Sequence, residues 1–139
     1  MRALYNATYK NTLKFSFFMR ILSKEEFESE KDIIRTSWIE NNVVFIYPTD
    51  TIYGIGCSAV NKEAVDKIRK IKERNGSPFS VIAPFKEWID EHCVVNENAR
   101  EWIKRLPGPY TLILKRKKDC VAENVAPNTD TLGVRIPDH

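Results

Sequence analysis

Apolar and polar positions alternate along most of the chain in blocks that predict helices and strands in turn. A dense apolar run at 43–47 predicts a buried strand that ends at Pro48, because proline cannot donate to a sheet ladder. Apolar positions three and four residues apart predict helices over 62–74 and 96–106, and a short helix is predicted over 86–93. Further strands are predicted over 79–83, 110–116 and 132–136, and a polar loop over 117–130.

Two capping signals predict where the first two helices begin. Ser23 and Glu26 have the spacing of a capping box, so a helix is expected to start at Ser23 and to end at Asn41 and Asn42. Asn61 is expected to cap the second helix. The apolar residues of the first helix are Phe27, Ile34, Trp38 and Ile39. In the second, Ala64, Val65, Ile68 and Ile71 are expected to face inward, and Lys67, Arg69 and Lys70 outward.

Strands that alternate with helices predict an α/β fold, here a single twisted mixed sheet with flanking helices and with ligands at the strand ends. A chain of 139 residues is enough for one domain, which we place at 19–139. We expect the leader 1–18 either to result from a start codon that was assigned too early or to be a disordered segment. The alternative is a targeting peptide. The sheet is expected to be incomplete, because the chain ends three residues after its last predicted strand.

Charge and cysteine content narrow the class of protein. The net charge of +3 comes from five basic residues within positions 1–24, and the remainder holds 17 basic and 19 acidic residues. Nucleic-acid affinity would therefore need a local basic patch. Three widely spaced cysteines without a Cys-x-x-Cys pair predict reduced thiols and a cytoplasmic protein. Because the apolar runs fall short of the roughly 18 residues that span a bilayer, no membrane is expected.

The segment from Gly54 to Ala59 fits the relaxed dinucleotide fingerprint Gly-x-Gly-x-x-Ala. That motif binds a pyrophosphate only when it lies between an adjoining strand and helix. Here the helix cap, Asn61, follows the motif, and six residues separate the predicted strand from the first glycine. A nicotinamide or flavin enzyme is therefore disfavoured.

Two other segments could carry chemistry. The loop at 47–56 places short hydroxyl side chains beside glycines, which suits a polar ligand held close to the backbone. The alternative is that Thr49 and Asp50 bond to their own backbone in a turn. Lys72 and Arg74, near the end of the second helix, could neutralise phosphate oxygens. They could equally form a solvated basic face that the helix dipole favours.

These two segments occur with two more motifs, Pro-Gly-Pro-Tyr-Thr at 107–111 and Thr-Leu-Gly-Val-Arg-Ile-Pro at 131–137. In this order, the set resembles the YrdC-like threonylcarbamoyl-adenylate synthases over about Ser23 to His139. The resemblance implies a nucleotidyltransferase that makes threonylcarbamoyl-AMP and pyrophosphate from L-threonine, bicarbonate and ATP, for tRNA modification. It also implies a downstream threonylcarbamoyl-transferase as partner, and a basic, concave groove.

Carried over by motif, the resemblance implies that Thr49 and Arg135 contact threonine, with Arg135 on its carboxylate. It implies that Lys72, Arg74 and Thr131 face ATP, with Lys72 and Arg74 as the catalytic pair. The chemistry then depends on positioning and charge stabilisation, and Mg2+ is expected to arrive with ATP.

The chain departs from the family pattern in two places. Asn75 to Pro78 stand where relatives resemble Arg-Pro-x-x-Lys-Pro, which puts one phosphate contact in doubt. The family usually continues past Arg-Ile-Pro-Asp-His to a Ser-x-Asn motif, so we expect a truncated piece or a short relative with a compromised site.

Three alternatives stay open from the sequence. The first is a non-catalytic module that binds tRNA or double-stranded RNA through local basic residues, and the second is an inactive fragment of the synthase. The third, a carbamoyl-transferring enzyme with a YrdC-like domain, is disfavoured because nothing here supplies its accessory domains. The basic residues of the RNA alternative are Lys67, Arg69, Lys70 and the run 115–118, which could instead protect an edge strand.

Overall fold

The computed structural model describes residues 20–117 and 120–138, and side chains are described everywhere in these ranges except at 37–40. The predicted leader and the side chains of Trp38 and Ile39 lie outside this part of the chain. Contacts divide the chain into two units, Met1–Ile34 and Arg35–His139. We describe each unit by itself.

In the first unit, the predicted capping box is confirmed at the start of helix α1 (Lys24–Glu40). The Ser23 main-chain N–H donates to the Glu26 carboxylate at 2.9 Å, and the Glu26 N–H donates to the Ser23 hydroxyl at 3.1 Å. Two otherwise unpaired backbone donors are satisfied in this way. Upstream, Arg20 donates through both terminal nitrogens to the Glu30 carboxylate at 2.6 and 2.7 Å.

In the second unit, the end of α1 is followed by a β-hairpin that the sequence predicts only in part. Strand β1 (Val44–Tyr47) pairs antiparallel with β2 (Gly54–Cys57). The predicted strand is present, but its predicted burial is wrong: Ile46 is 67% exposed, and the other three residues of β1 are only partly buried. The sequence pattern also misses β2, since its two glycines are typical of a loop.

The remaining strands form a four-stranded mixed sheet in the order β3-β6-β5-β4. Strand β6 is parallel to β3 and antiparallel to β5, which is antiparallel to β4. The expected mixed α/β class is confirmed, with the strands of this unit divided between two hydrogen-bonded sheets. The other elements are α2 (Lys62–Ile71), β3 (Ser80–Ile82), α3 (Lys86–His92), β4 (Cys93–Val94), α4 (Glu97–Lys104), β5 (Leu112–Arg116) and β6 (Thr131–Arg135).

Strand β6 contributes side chains to both faces of the sheet. Leu132, Gly133 and Val134 are buried, and Thr131 and Arg135 are partly buried. Because side chains alternate along a strand, Leu132 and Val134 share one face, and Thr131, Gly133 and Arg135 lie on the other. The core therefore lies on the first face. Its buried members include Val65, Val81, Ile89, Ile103, Leu106, Leu114 and Val125.

Helix α2 begins as predicted, with the Asn61 side chain accepting the Ala64 N–H at 3.0 Å, but it ends at Ile71, before the predicted Arg74. Glu73 takes a positive φ of 50°, which stops the helix. Ala64, Val65 and Ile68 are buried as expected. The inward placement of Ile71 is wrong, since it is 51% exposed beside the unwinding turn.

The segment predicted as a polar loop at 117–130 is corrected by the structure. It contains a 3-10 helix (Glu123–Val125) and buries Cys120, Val125 and Ala126 in the core. The Phe79 N–H donates to the Val125 carbonyl at 2.8 Å, so this segment also holds the start of β3. Within the ranges described above, no helix is both long and apolar enough to cross a membrane.

Candidate functional site

An ion pair joins the loop after β1 to the end of β6. Arg135 Nη2 donates to Asp50 Oδ1 at 2.6 Å, and the side chains are 20% and 10% exposed, respectively. The other oxygen, Asp50 Oδ2, accepts the Asp138 main-chain N–H at 3.2 Å. The Nε atom of Arg135 is buried and has no hydrogen-bond partner in the described part of the chain. The guanidinium is thus bonded to Asp50 through Nη2, and its Nε–H has no acceptor among the described residues.

The loop that carries Asp50 is shaped by Thr49. The Thr49 hydroxyl accepts the main-chain N–H groups of Thr51 and Ile52, both at 3.2 Å, and donates to the Ile52 carbonyl at 2.6 Å. This is the local turn that the sequence offered as an alternative. For Asp50 that alternative is wrong, because its carboxylate bonds to Arg135 and Asp138. The turn places Thr49 next to the ion pair.

The glycines after this loop have a packing role. A Cβ atom on Gly54 would lie 2.6 Å from the Tyr47 ring, and one on Gly56 would lie 2.8 Å from the same ring. Tyr47 pairs across the hairpin with Gly54, and its ring is tilted against that of Phe45 at 5.5 Å. Burial raises the pKa of Tyr47, and the positive charge of Arg135 opposes this shift. The aromatic rings account for the Gly-x-Gly pattern without a dinucleotide.

Two of the sequence motifs meet at β6 and the chain that follows it. The Gly108 N–H donates to the Ile136 carbonyl at 2.9 Å, which joins the Pro-Gly-Pro segment to the chain beyond β6. A Cβ atom on Gly133 would lie 3.2 Å from Ser80 Cβ and 3.4 Å from the Thr111 methyl group. A side chain at this position would therefore press against Ser80 and Thr111, and glycine avoids this contact.

Thr131 and Arg135 lie on the same face as Gly133, at opposite ends of β6, about 13 Å apart at the usual rise of a strand. The hydroxyls of Thr131 and Thr129 are 2.9 Å apart, and the Thr131 N–H donates to the Thr129 hydroxyl at 3.2 Å. The structure thus places one predicted ATP residue and one predicted threonine residue on a common surface.

Lys72 and Arg74 lie in the exposed segment between α2 and β3. The Arg74 guanidinium lies 5.7 Å from the ring centre of Phe79, which is the residue directly before β3. Because β3 and β6 are parallel and Ser80 is level with Gly133, this segment enters the sheet at the Thr131 end. Among the described residues, no recorded contact joins Lys72 or Arg74 to Thr49, Thr131 or Arg135.

Arg69 was expected on the outward face of α2, which is wrong. Its Nε donates to the Asn124 carbonyl at 2.8 Å, and its Nη atoms donate to the carbonyls of Arg74 at 3.2 Å and Val125 at 3.4 Å. The guanidinium also lies 4.7 Å from the Phe79 ring centre. Arg69 fixes the backbone that carries Arg74. Sequence spacing could not show this, because its partners Asn124 and Val125 are 55 and 56 residues away.

Most of the predicted basic patch also has partners within the protein. Lys67 Nζ donates to the Asn42 carbonyl at 3.1 Å, and Lys115 pairs with Asp130 at 3.4 Å. Lys117 Nζ donates to the Asp90 carbonyl at 2.9 Å, and Lys118 lies outside the described residues. These contacts give the RNA alternative no support.

The three cysteines all lie in the described ranges and are free thiols. Burial raises the pKa of Cys57 and of Cys93 to about 11, so both are neutral at physiological pH. Across residues 20–117 and 120–138, no cluster of three or more His, Cys, Asp or Glu side chains could hold a metal ion.

Comparison with known proteins bears directly on this geometry. A family model named Sua5_yciO_yrdC, described as "Telomere recombination", matches residues 37–139. The chain belongs to the Sua5/YciO/YrdC family. The resemblance inferred from the four motifs is thereby confirmed.

Individual relatives of the Sua5/YciO/YrdC family agree. A protein of Methanocaldococcus jannaschii is 40% identical over 122 residues, which are 84% of this chain and 56% of that protein. The threonylcarbamoyl-AMP synthase of Bacillus subtilis is 38% identical over 104 residues, 73% of this chain and 30% of that protein. The structure of P. abyssi Sua5 complexed with L-threonine matches with a TM-score of 0.69 and 30% identity, over 76% of this chain and 32% of that one. The chain thus spans about half, or less, of the length of these relatives.

A groove of about 580 Å³ lies outside the five predicted site residues of this family member. It runs between α4 and β5, and Trp102 and Tyr110 meet there with their ring centres 5.6 Å apart. Thr111, whose methyl group adjoins Gly133, lines its end. The Pro-Gly-Pro-Tyr-Thr motif therefore borders both the groove and the sheet face that carries Gly133.

Proposed function

We propose that this chain is an L-threonylcarbamoyladenylate synthase, which makes threonylcarbamoyl-AMP and pyrophosphate from L-threonine, bicarbonate and ATP. The observation that carries the proposal is the part-buried guanidinium of Arg135, which lies beside the Thr49 turn and whose buried Nε donor has no partner among the described residues. Arginine is well suited to a carboxylate, because its planar fork pairs with both oxygens. Membership of a family with members named threonylcarbamoyl-AMP synthase supports the same activity.

Within this proposal, Thr49 and Arg135 bind threonine. Arg135 pairs with the threonine carboxylate, and the Thr49 turn forms the adjoining wall. The related P. abyssi Sua5 forms a complex with L-threonine, which supports this ligand.

Lys72, Arg74 and Thr131 face ATP in the proposed site. Since the segment with Lys72 and Arg74 enters the sheet at the Thr131 end of β6, a nucleotide there and an amino acid at Arg135 fit on one surface. The separation of about 13 Å along β6 suits an amino acid joined to a nucleotide.

The reaction needs no protein nucleophile. The threonine amine takes up bicarbonate with loss of water and gives a carbamate. A carbamate oxygen then attacks the α-phosphorus of ATP, the bond to the β-phosphate oxygen breaks, and pyrophosphate leaves. Lys72 and Arg74 offset the negative charge that develops on the transferring phosphorus and on pyrophosphate. Mg2+ bound to the phosphates would supply further charge neutralisation.

The product is proposed to pass to a downstream threonylcarbamoyl-transferase that modifies tRNA. The protein is proposed to work in the cytoplasm, which its free thiols suit.

Pyrophosphate release tests the proposed activity. It should require ATP, L-threonine and bicarbonate together, and Lys72→Ala should abolish it. Lys70→Ala is the matched control, because Lys70 is also exposed and lies two residues earlier. Pyrophosphate release that does not depend on threonine would contradict the proposal. An equal loss of activity in Lys72→Ala and Lys70→Ala would also contradict it. RNA binding that weakens steeply with salt, without threonine-dependent turnover, would favour the RNA-binding module.

A further inference from the structure

Asp50 uses both of its carboxylate oxygens on groups that are distant in sequence. One oxygen accepts Arg135 Nη2 and the other accepts the Asp138 N–H. At 10% exposure, this carboxylate is largely withdrawn from water. Because the pair is part-buried, removing one partner would leave the other charge with only partial solvation in its place. Asp50 therefore determines where the Arg135 guanidinium lies.

The pairing is incomplete on the arginine side. Arg135 Nε is buried, and within the ranges that the structure describes it has no acceptor. Buried polar groups are nearly always hydrogen-bonded, so a buried N–H without a partner requires an explanation. Asp50 does not supply the missing acceptor in this geometry, because its second oxygen accepts the Asp138 N–H and not Arg135 Nε–H. A ligand oxygen would complete the set once a local movement uncovers Nε, which the surrounding atoms cover in this structure.

We propose that Asp50 is a positioning residue for the amino-acid substrate, which holds Arg135 through Nη2 so that Nε–H is kept for a carboxylate oxygen of threonine. This inference rests on the proposed function and adds to it a residue that acts through Arg135. Asp50 itself does not touch the substrate.

Asp50→Asn tests the role with little change in shape. An asparagine offers one acceptor oxygen, whereas Arg135 and Asp138 both donate, so one of the two bonds must be lost. Asp90→Asn is the matched control, because Asp90 also pairs with an arginine, Arg100, at 3.2 Å, but both side chains are exposed. Surface pairs of this kind contribute little.

The first measurement is the Arg135 Nε–H resonance in a nitrogen-15 NMR spectrum, assigned by its absence in Arg135→Lys. In the wild-type protein it should shift when L-threonine is added. Asp50→Asn should move the resonance in the ligand-free protein and remove the response to threonine, and Asp90→Asn should change neither. An unmoved resonance with an unchanged threonine response in Asp50→Asn would overturn the inference.

The second measurement is threonine affinity by calorimetry in a double-mutant cycle. Asp50→Asn and Arg135→Lys should each weaken binding at least about tenfold, and the double variant should bind no more weakly than Arg135→Lys alone. Additive losses would mean that Asp50 acts independently of Arg135, against the inference. If threonine failed to bind the wild-type protein, the proposed function would be contradicted, and the ligand-free resonance would still decide the positioning role.

Discussion

The Asp50 carboxylate accepts a hydrogen bond from the Arg135 guanidinium at 2.6 Å, across 85 residues of sequence. Through this contact the loop after β1 and the end of β6 form one structure. The pair links two motifs that the sequence had placed in a threonine site only through family resemblance. It also gives Arg135 a fixed orientation, which a carboxylate receptor needs.

The close fit between Gly54 and Tyr47 predicts that Gly54→Ala destabilises the protein. The new methyl group would lie 2.6 Å from the Tyr47 ring, so the ring or the hairpin must shift, at a cost of about 1–3 kcal/mol. Urea unfolding measures this loss. Gly108→Ala is the control, because its Cβ would meet neighbours at an ordinary 3.4 Å. In a Tyr47→Leu background, Gly54→Ala should cost less, and an unchanged cost would contradict the role of the ring.

The three carbonyl contacts of Arg69 predict a structural role for this side chain. Arg69→Gln should lower the free energy of unfolding by about 1–3 kcal/mol, because carbonyl groups of the 3-10 helix and of Arg74 lose a charged donor. Lys70→Gln, at the next position on the exposed face, should change it by less than about 0.5 kcal/mol. Equal effects in chemical unfolding would show that Arg69 is an ordinary surface residue.

The buried thiol of Cys93 predicts a stability loss at alkaline pH. Burial raises its pKa from 9.0 to about 11, so between these values the unfolded state has released a proton that the folded state keeps. The free energy of unfolding therefore falls as pH rises from about 9 to about 11. Cys93→Ala should be less stable near neutral pH, because it leaves a cavity, but its decline should be shallower. If the free energy of unfolding fell equally with pH in the wild-type protein and in Cys93→Ala, this assignment would be contradicted.

Local signals in the sequence were sufficient to predict where α1 and α2 begin. The Ser23–Glu26 capping box and the Asn61 cap involve neighbouring residues, and both are present as expected. The end of α2 and strand β2 were not predictable in the same way. The first depends on the left-handed conformation of Glu73, and the second on glycines that pack beneath Tyr47.

At the candidate site, even more depends on contacts between residues that are distant in sequence, which local signals cannot predict. Thr49 and Arg135 can be proposed from motifs, but local spacing offers Asp50 only as a turn residue, because nothing in a single sequence pairs it with an arginine 85 positions away. Helix periodicity places Arg69 outward, since it carries no information about the carbonyls of a distant 3-10 helix. The roles of Lys72, Arg74 and Thr131 stay predictions.

Incorporation of carbon-13 bicarbonate tests the central claim most directly. The protein is incubated with labelled bicarbonate, L-threonine, ATP and Mg2+, and the nucleotides are separated and weighed by mass spectrometry. The account predicts a threonylcarbamoyl-AMP species that carries the label, is lost without threonine, and is lost in Arg135→Ala. Formation of unlabelled AMP or ADP alone, or a labelled product that persists in Arg135→Ala, would contradict it.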